Sequence, residues 1–175
     1  MKEDIQITPG FTVREEERLA KLHGYTAIEE YEKSGAFQHI AGMAARMFDV
    51  PVAFVNIVDR DSVLIKGSIG LTNVKEISRS IGLCSLAIQR DEVTVFENTR
   101  TELSLSANPL IYGEPGFQFY AGAPLKTSDG YSIGAVGVAD YKPRNFAEAE
   151  ELMLEALATT VMEELSEMQL MSVTQ

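Results

Sequence analysis

Apolar side chains recur at spacings of three and four from Ala36 to Phe48, at Phe37, Ile40, Ala41, Ala44, Met47 and Phe48. That spacing places them on one face and predicts an α-helix ending before Asp49-Val50-Pro51. The next run, Val52 to Val58, is almost entirely apolar and β-branched. It is too short for a core helix and predicts a buried strand. The polar triplet Asp59-Arg60-Asp61 turns the chain into a second strand, Ser62 to Ser68, so the pair reads as a hairpin.

The rest of the chain follows the same logic. Arg14 to His23 carries Leu19, Ala20 and Leu22 among charges, which predicts a short helix ending near Gly24. Gly70 to Ser80 is less regular, a short helical pattern follows at Leu83, Leu86, Ala87 and Ile88, and Val93, Val95 and Phe96 suggest a strand ending at Asn98. Thr99 to Gln118 is rich in small residues, proline and glycine, as in Asn108-Pro109 and Gly113-Glu114-Pro115-Gly116. Irregular chain of that length in a compact domain predicts a lid or binding loop with short helical turns. Phe119 to Lys126 and Tyr131 to Ala139 flank Ser128-Asp129-Gly130, and Asp-Gly between two strand-like runs marks a tight hairpin. The last pattern, Phe146 to Met171, predicts a long helix with Leu152, Met153, Ala156, Leu157, Val161, Leu165 and Met168 on one face and glutamates mostly on the other. Asn145, with Glu148 three residues on, is its expected N-cap.

Composition narrows the classes. With 175 residues, 45% of them hydrophobic, the chain can bury one sizeable core. The expected division is a lead over residues 1–13, a single domain over 14–171 and a tail over 172–175. A net charge of -11 opposes binding to a phosphate backbone, so nucleic acid is not an expected partner. A single cysteine, Cys84, allows neither an intrachain disulfide nor a multi-thiolate zinc cluster, and fits a reducing cytosol. The N-terminus lacks the pattern of a signal peptide and no apolar run approaches a membrane span, so a soluble, cytoplasmic protein is expected. His23 and His39 have no metal-ligand company at a convincing spacing. No nucleophile triad, phosphate-cradling loop or H-E-x-x-H motif appears, so neither catalytic residues nor a cofactor are assigned.

In this order, Arg18-Leu19-Ala20, Ala45 through Ala53, Val58-Asp59-Arg60-Asp61, Cys84 through Ile88, Asn108-Pro109-Leu110, Gly113 through Gly116, Phe119 through Leu125, Gly134 through Asp140 and Arg144-Asn145-Phe146 resemble the GAF family. The resemblance is specifically to the branch often found ahead of bacterial histidine kinases and diguanylate cyclases. The resemblance spans residues 14 to 165 and implies an α+β, PAS-like fold. Its central antiparallel sheet would have five or six strands, with terminal helices on one face and loops and short helices covering a pocket on the other. Members hold small molecules between sheet and cover and pass the change to an output domain. The resemblance uses up the chain, so the expectation is that any signal leaves through a separate signalling protein or a homodimer formed by the terminal helices, with the end near Leu165, Met168 and Met171 available to it.

The expected fold puts Phe54, Asn56, Ile65, Leu83, Cys84, Asn98, Tyr112, Phe119, Ala121 and Ala123 in that pocket. Ala121 and Ala123 leave room on one strand face. Tyr112 and Phe119 either stack on a planar ligand or anchor the long loop. Asn56, a polar amide inside an apolar strand, must be bonded by a protein group or by a ligand. Cys84 opens a short helix, where the dipole would favour a thiolate, yet free cysteines also serve as small buried apolar residues. In the resembling branch a histidine commonly lies two positions after this cysteine, and here that place is Leu86. The leading expectation is a non-catalytic small-molecule sensor. One alternative is a thiol-based redox enzyme or redox sensor through Cys84, since some free-standing members reduce free methionine sulfoxide, although no resolving cysteine is present. The other is a ligand-free dimerisation module.

Overall fold

Two hairpins laid edge to edge build the sheet. In the computed structural model, which describes residues 9–173, β1 (Val52–Val58) and β2 (Ser62–Ile69) flank the Asp59–Asp61 turn. β5 (Phe119–Lys126) and β6 (Ser132–Asp140) flank the Asp-Gly turn. Gly130 takes φ +90 there, a conformation that side chains with a Cβ rarely adopt. β1 pairs with β6, and the short strands β3 (Glu76–Ser78) and β4 (Thr94–Phe96) extend the two edges. The result is a six-stranded antiparallel sheet in the order β3-β2-β1-β6-β5-β4.

Alternation along the strands divides the interior in two. Ala53, Val55 and Ile57 of β1, Phe119, Ala121, Ala123 and Leu125 of β5, and Val136 and Val138 of β6 face the helices. There they meet Phe37, Ile40, Ala41 and Ala44 of α3 (Ala36–Phe48) and Leu154, Leu157, Ala158, Val161 and Leu165 of α6 (Glu148–Val173). α3 rides directly on β2, since a Cβ at Gly67 would stand 2.5 Å from the Phe37 backbone. Val52, Phe54, Val58, Val63, Tyr120, Ala135 and Ala139 face the other way, under a cover that includes α4 (Cys84–Ala87), α5 (Pro109–Tyr112) and Phe117. α1 (Pro9–Gly24) lies across the hairpin-turn end of the sheet, where Arg14 donates to the Gly130 carbonyl at 3.2 Å and Arg18 to the Val58 carbonyl at 2.7 Å.

Three features depart from the sequence-based expectations. α2 (Ile28–Lys33) stands between the two expected N-terminal helices, held by Tyr31, which is buried edge-on against Phe37 with ring centroids 4.6 Å apart. β3 lies within the stretch expected to be irregular, paired to β2 through Val63 and Ile77. α6 begins at Glu148, where Glu150 Oε1 accepts from the Ala147 N–H at 3.1 Å, so Asn145 is not its cap. On α6, Leu154 and Met162 belong to the buried stripe, whereas Leu152, Met153 and Ala156 are exposed. The helix carries two adjacent apolar stripes, and the sheet covers the one centred on Leu154, Leu157, Val161 and Leu165. Leu165 is therefore core and not open to a partner, while Met171 is exposed.

Candidate functional site

Three polar side chains meet beneath the cover. Asn56 enters from the middle of β1, Tyr120 from the second position of β5, and Cys84 from the first turn of α4. Asn56 Nδ2 donates to Cys84 Sγ at 3.2 Å and Tyr120 OH donates to the same sulfur at 3.4 Å. All three residues are buried. Tyr120 is wedged between Phe54 and Phe96, with ring centroids 6.2 and 6.3 Å away. The paired glycines Gly122 and Gly137 make room for this layer: a Cβ on Gly122 would stand 2.1 Å from Tyr120 OH, and one on Gly137 2.4 Å from the Phe54 ring.

The electrostatics keep this group neutral. Burial pushes the Cys84 thiol up from 9.0 to about 11, against hydrogen bonds from Tyr120 and Asn56 that pull it down. Burial also lifts the Tyr120 phenol well above its ordinary range, with the neighbouring sulfur adding to the effect. Of the two sequence-based readings of Cys84, a helix-end thiolate and a small buried residue, the structure supports the second. The helix is only four residues long, and loss of hydration outweighs what its end could supply. A thiol held this way is a poor nucleophile.

Asn56 is left with an unmet demand. Its Oδ1 is buried and has no hydrogen-bond partner among the described residues. Turning the amide over would let the thiol donate to Oδ1 and would strand Nδ2 instead, so one polar atom stays unpaired either way. Its cross-strand neighbours, Ile65 and Ala135, are apolar and offer no bond. Such a group costs about 1–3 kcal/mol, which few buried side chains bear without a reason.

Asn56 and Cys84 line a cavity of about 350 Å³ between β1, β2 and the cover. Phe54, Ile65, Ile77, Leu83, Leu110 and Phe117 form its walls, and Leu71, Thr72, Val74, Glu114, Pro115 and Tyr141 also border it. The volume lies near the lower end of the range for small-molecule sites, about 300–1,000 Å³. The segments 70–74 and 110–117 both contribute to its lining, and in the second Gly116 and Phe117 donate backbone N–H bonds to the Leu110 carbonyl at 3.0 Å.

Of the residues expected in the pocket, Phe54, Asn56, Ile65, Leu83 and Cys84 line this cavity. The others lie elsewhere. Phe119, Ala121 and Ala123 point to the helix side of β5, where Phe119 packs on Phe146 at 5.6 Å. The adjacent residue Tyr120 is the one that faces the cavity layer. Asn98 accepts from the Arg100 N–H at 3.1 Å and caps a short 3-10 turn, and Tyr112 is exposed. Residues that sequence reasoning missed include Leu71, Val74, Glu114 and Phe117 from irregular chain, Ile77 from β3 and Leu110 from the one-turn helix α5. His23 pairs with Asp59 on the surface at 2.9 Å, and His39 is exposed. Among the described residues no group of His, Cys, Asp or Glu is placed to hold a metal, and no helix is long and apolar enough to cross a membrane.

A continuous set of contacts ties the cavity to α1. Ile77 of β3 lines the cavity, and Arg79 follows directly after that strand. The Arg79 carbonyl accepts from Ser85 Oγ at 2.7 Å, one residue past Cys84 on α4. The Arg79 guanidinium bonds the Asp59 and Arg60 carbonyls at 3.2 Å and the Glu15 carboxylate on α1. Glu15 also takes Arg18 Nε at 2.8 Å. Partial burial raises the Glu15 carboxyl, but hydrogen bonds from Arg18 and Arg79 outweigh that and hold it at about 2.

Comparison with known proteins places this geometry. The GAF domain family model matches residues 34–165. A cyclic di-GMP phosphodiesterase of Pseudomonas aeruginosa is 33% identical over 156 residues, covering 89% of this chain but 26% of that protein's length. Among solved structures, the GAF domain of an Acinetobacter phosphoenolpyruvate-protein phosphotransferase is similar with a TM-score of 0.65 at 19% identity, over 91% of this chain and 95% of that one. A type II free methionine-R-sulfoxide reductase from Thermoplasma acidophilum is similar with a TM-score of 0.64 at 18% identity, over 81% of this chain and 96% of that one. At such identities the structural likeness speaks for the fold.

Proposed function

This chain belongs to the GAF domain family, and from that premise we propose that it is a non-catalytic sensor module whose cavity over β1 and β2 binds a small molecule. The observation that carries the reading is Asn56, a buried amide lining an apolar cavity with one polar atom unpaired. A ligand that bonds it would recover the cost of burying it. The neutral, buried Cys84 speaks against the thiol-chemistry reading, which needs an accessible thiolate and a resolving partner. The match to the phosphodiesterase takes in 26% of that protein, and we read the shared stretch as a regulatory part rather than the hydrolytic one.

In this reading the ligand draws segments 70–74 and 110–117 onto the cavity floor. Any shift of Ile77 or of α4 then reaches α1 through Arg79 and Glu15. The response leaves through the terminal helices to a separate signalling protein or a second copy of the chain. Exposed Leu152 and Met153 on α6 support self-association.

Thermal denaturation across a metabolite library tests the reading. A ligand at a hundred times its Kd stabilises the native state by about 2.7 kcal/mol, which for a chain of this size raises Tm by about 5–10 °C. Asn56→Ala should abolish the shift. No shift for any compound, or a shift indifferent to Asn56→Ala, would remove the basis for the proposal. Reduction of free methionine sulfoxide with an external thiol, lost in Cys84→Ser, would favour the redox reading instead.

A further inference from the structure

The walls of the cavity also restrict the charge of what it can hold. Resting on the reading of that cavity as a binding site, we propose that its ligand is a compact ring compound, neutral or carrying one positive charge. Nucleotides and other phosphate or carboxylate anions are excluded from it.

Three observations lead there. First, among the described residues no lysine, arginine or histidine lines the cavity, and the one charged side chain that does is the carboxylate of Glu114. Lys75 and Lys142, next in sequence to the lining residues Val74 and Tyr141, are not part of the lining. Arg79 is already committed to Glu15 and to two carbonyls. An anion entering this space would shed its hydration with no cation to replace it and would meet a like charge on the way. The chain's net charge of -11 adds to the repulsion.

Second, the polar groups inside ask for hydrogen-bond donors. Asn56 Oδ1 is unpaired, and a ring N–H or amide N–H satisfies it without a formal charge. In the turned-over amide the exposed demand would be for a neutral acceptor such as a ring carbonyl, so a lactam-like edge suits both orientations.

Third, the remaining walls are apolar and partly aromatic, and the border is suited to a cation. Phe54 lines the cavity, and Phe117 packs beside Tyr141 with centroids 5.8 Å apart. Tyr141 and Glu114 are both exposed, so an ammonium there keeps its water while meeting a ring face and a carboxylate. A volume of about 350 Å³ suits one or two fused rings with a short arm, and is small for a dinucleotide.

The chain has no tryptophan, so indole fluorescence excited beyond tyrosine absorption comes from the probe alone, and its anisotropy separates bound probe from free. Tryptamine, indole and indole-3-acetate share one ring system and carry a positive charge, none and a negative charge. The expected order is tryptamine at least as tight as indole, with indole-3-acetate weaker than tryptamine by about thirty-fold or more. Asn56→Leu should weaken tryptamine and indole alike. Glu114→Gln should weaken tryptamine alone, by about three-fold. Indole-3-acetate binding as tightly as tryptamine would overturn the proposal while leaving the cavity a binding site. If this ring system does not bind, a library balanced between cationic, neutral and anionic ring compounds decides by thermal shift. Hits confined to the first two classes uphold the proposal, and anionic hits lost in Asn56→Leu overturn it. A library with no hits defeats the binding-site reading itself, and this inference with it.

Discussion

Replacing Asn56 by leucine should make the protein more stable and unable to respond to its ligand. The native amide leaves one polar atom buried without a partner, at a cost of about 1–3 kcal/mol. Its one contribution is the Nδ2 bond to Cys84 Sγ at 3.2 Å, and thiol sulfur is a weak acceptor, so losing it costs at most about 1 kcal/mol. Cys84 keeps its contact with Tyr120 OH. Leucine has nearly the same length, meets Ile65 and Ala135 across the strands, and can extend its second branch into the cavity. The balance is a gain of about 1–2 kcal/mol, or about 2–8 °C in Tm for a chain of this size. Urea unfolding followed by circular dichroism would read this as a higher midpoint at unchanged slope. A loss of more than about 1 kcal/mol would refute the reasoning. It would mean that the amide is bonded in the native protein, by an internal water for example, and serves the fold rather than a ligand.

Three further outcomes follow from the same geometry. With Cys84 held at about 11, a maleimide at about pH 8 should label it at least about a hundred-fold slower in the native protein than in urea, and fast native labelling would contradict its burial. Because that acid is raised in the folded state, its stabilising share is intact below pH 9.0 and declines as pH rises toward 11. Glu15, lowered from 4.5 to about 2, has the opposite sign: its contribution is present above pH 4.5 and is lost as pH falls toward 2. Glu15→Gln should therefore cost about 1–2 kcal/mol near neutral pH, after discounting for its partial exposure, and the difference from wild type in urea unfolding should shrink in acid; a constant difference would contradict the ion-pair account. Gly122→Ala should cost about 1–3 kcal/mol because the new Cβ meets Tyr120 OH. Adding Tyr120→Phe removes the nearest atom but keeps the ring Cζ, 2.7 Å from the new Cβ, so the double variant should recover only part of that cost, about 0.5–1 kcal/mol relative to the sum, and strict additivity would contradict the predicted clash with the hydroxyl.

Much of this architecture was legible because local chemistry and global packing agree. The bounds of α3, β1 and β5 follow directly from periodicity and turn residues. Asn56 announced itself as the one amide in an apolar strand. The phase of β5 did not. All but its last residue are buried, so no polar alternation tells one face from the other, and the choice of Ala121 and Ala123 over Tyr120 was wrong by one position. The pairing of Tyr120 with Ala139 and of Ala139 with Val52 fixes the face, but that is tertiary information. The same limit applies to Leu71, Val74, Glu114 and Phe117, which reach the cavity from irregular segments, and to Leu110 on a helix of four residues, too short to show a period. Asn98 could have been recognised as a cap from the polar Thr99-Arg100-Thr101 turn that follows it. For Cys84 the sequence offered both a helix-end thiolate and a small buried residue, and in a helix of four residues burial decides for the second.

A high-resolution crystal structure of the protein soaked with the tightest-binding ring compound is the most direct measurement. The account predicts density for that compound between segments 70–74 and 110–117, within hydrogen-bond reach of Asn56 and with no anionic group inside the cavity. A cavity closed by Leu110 and Phe117 collapsing onto Phe54, with the Asn56 amide bonded to the protein, would contradict it.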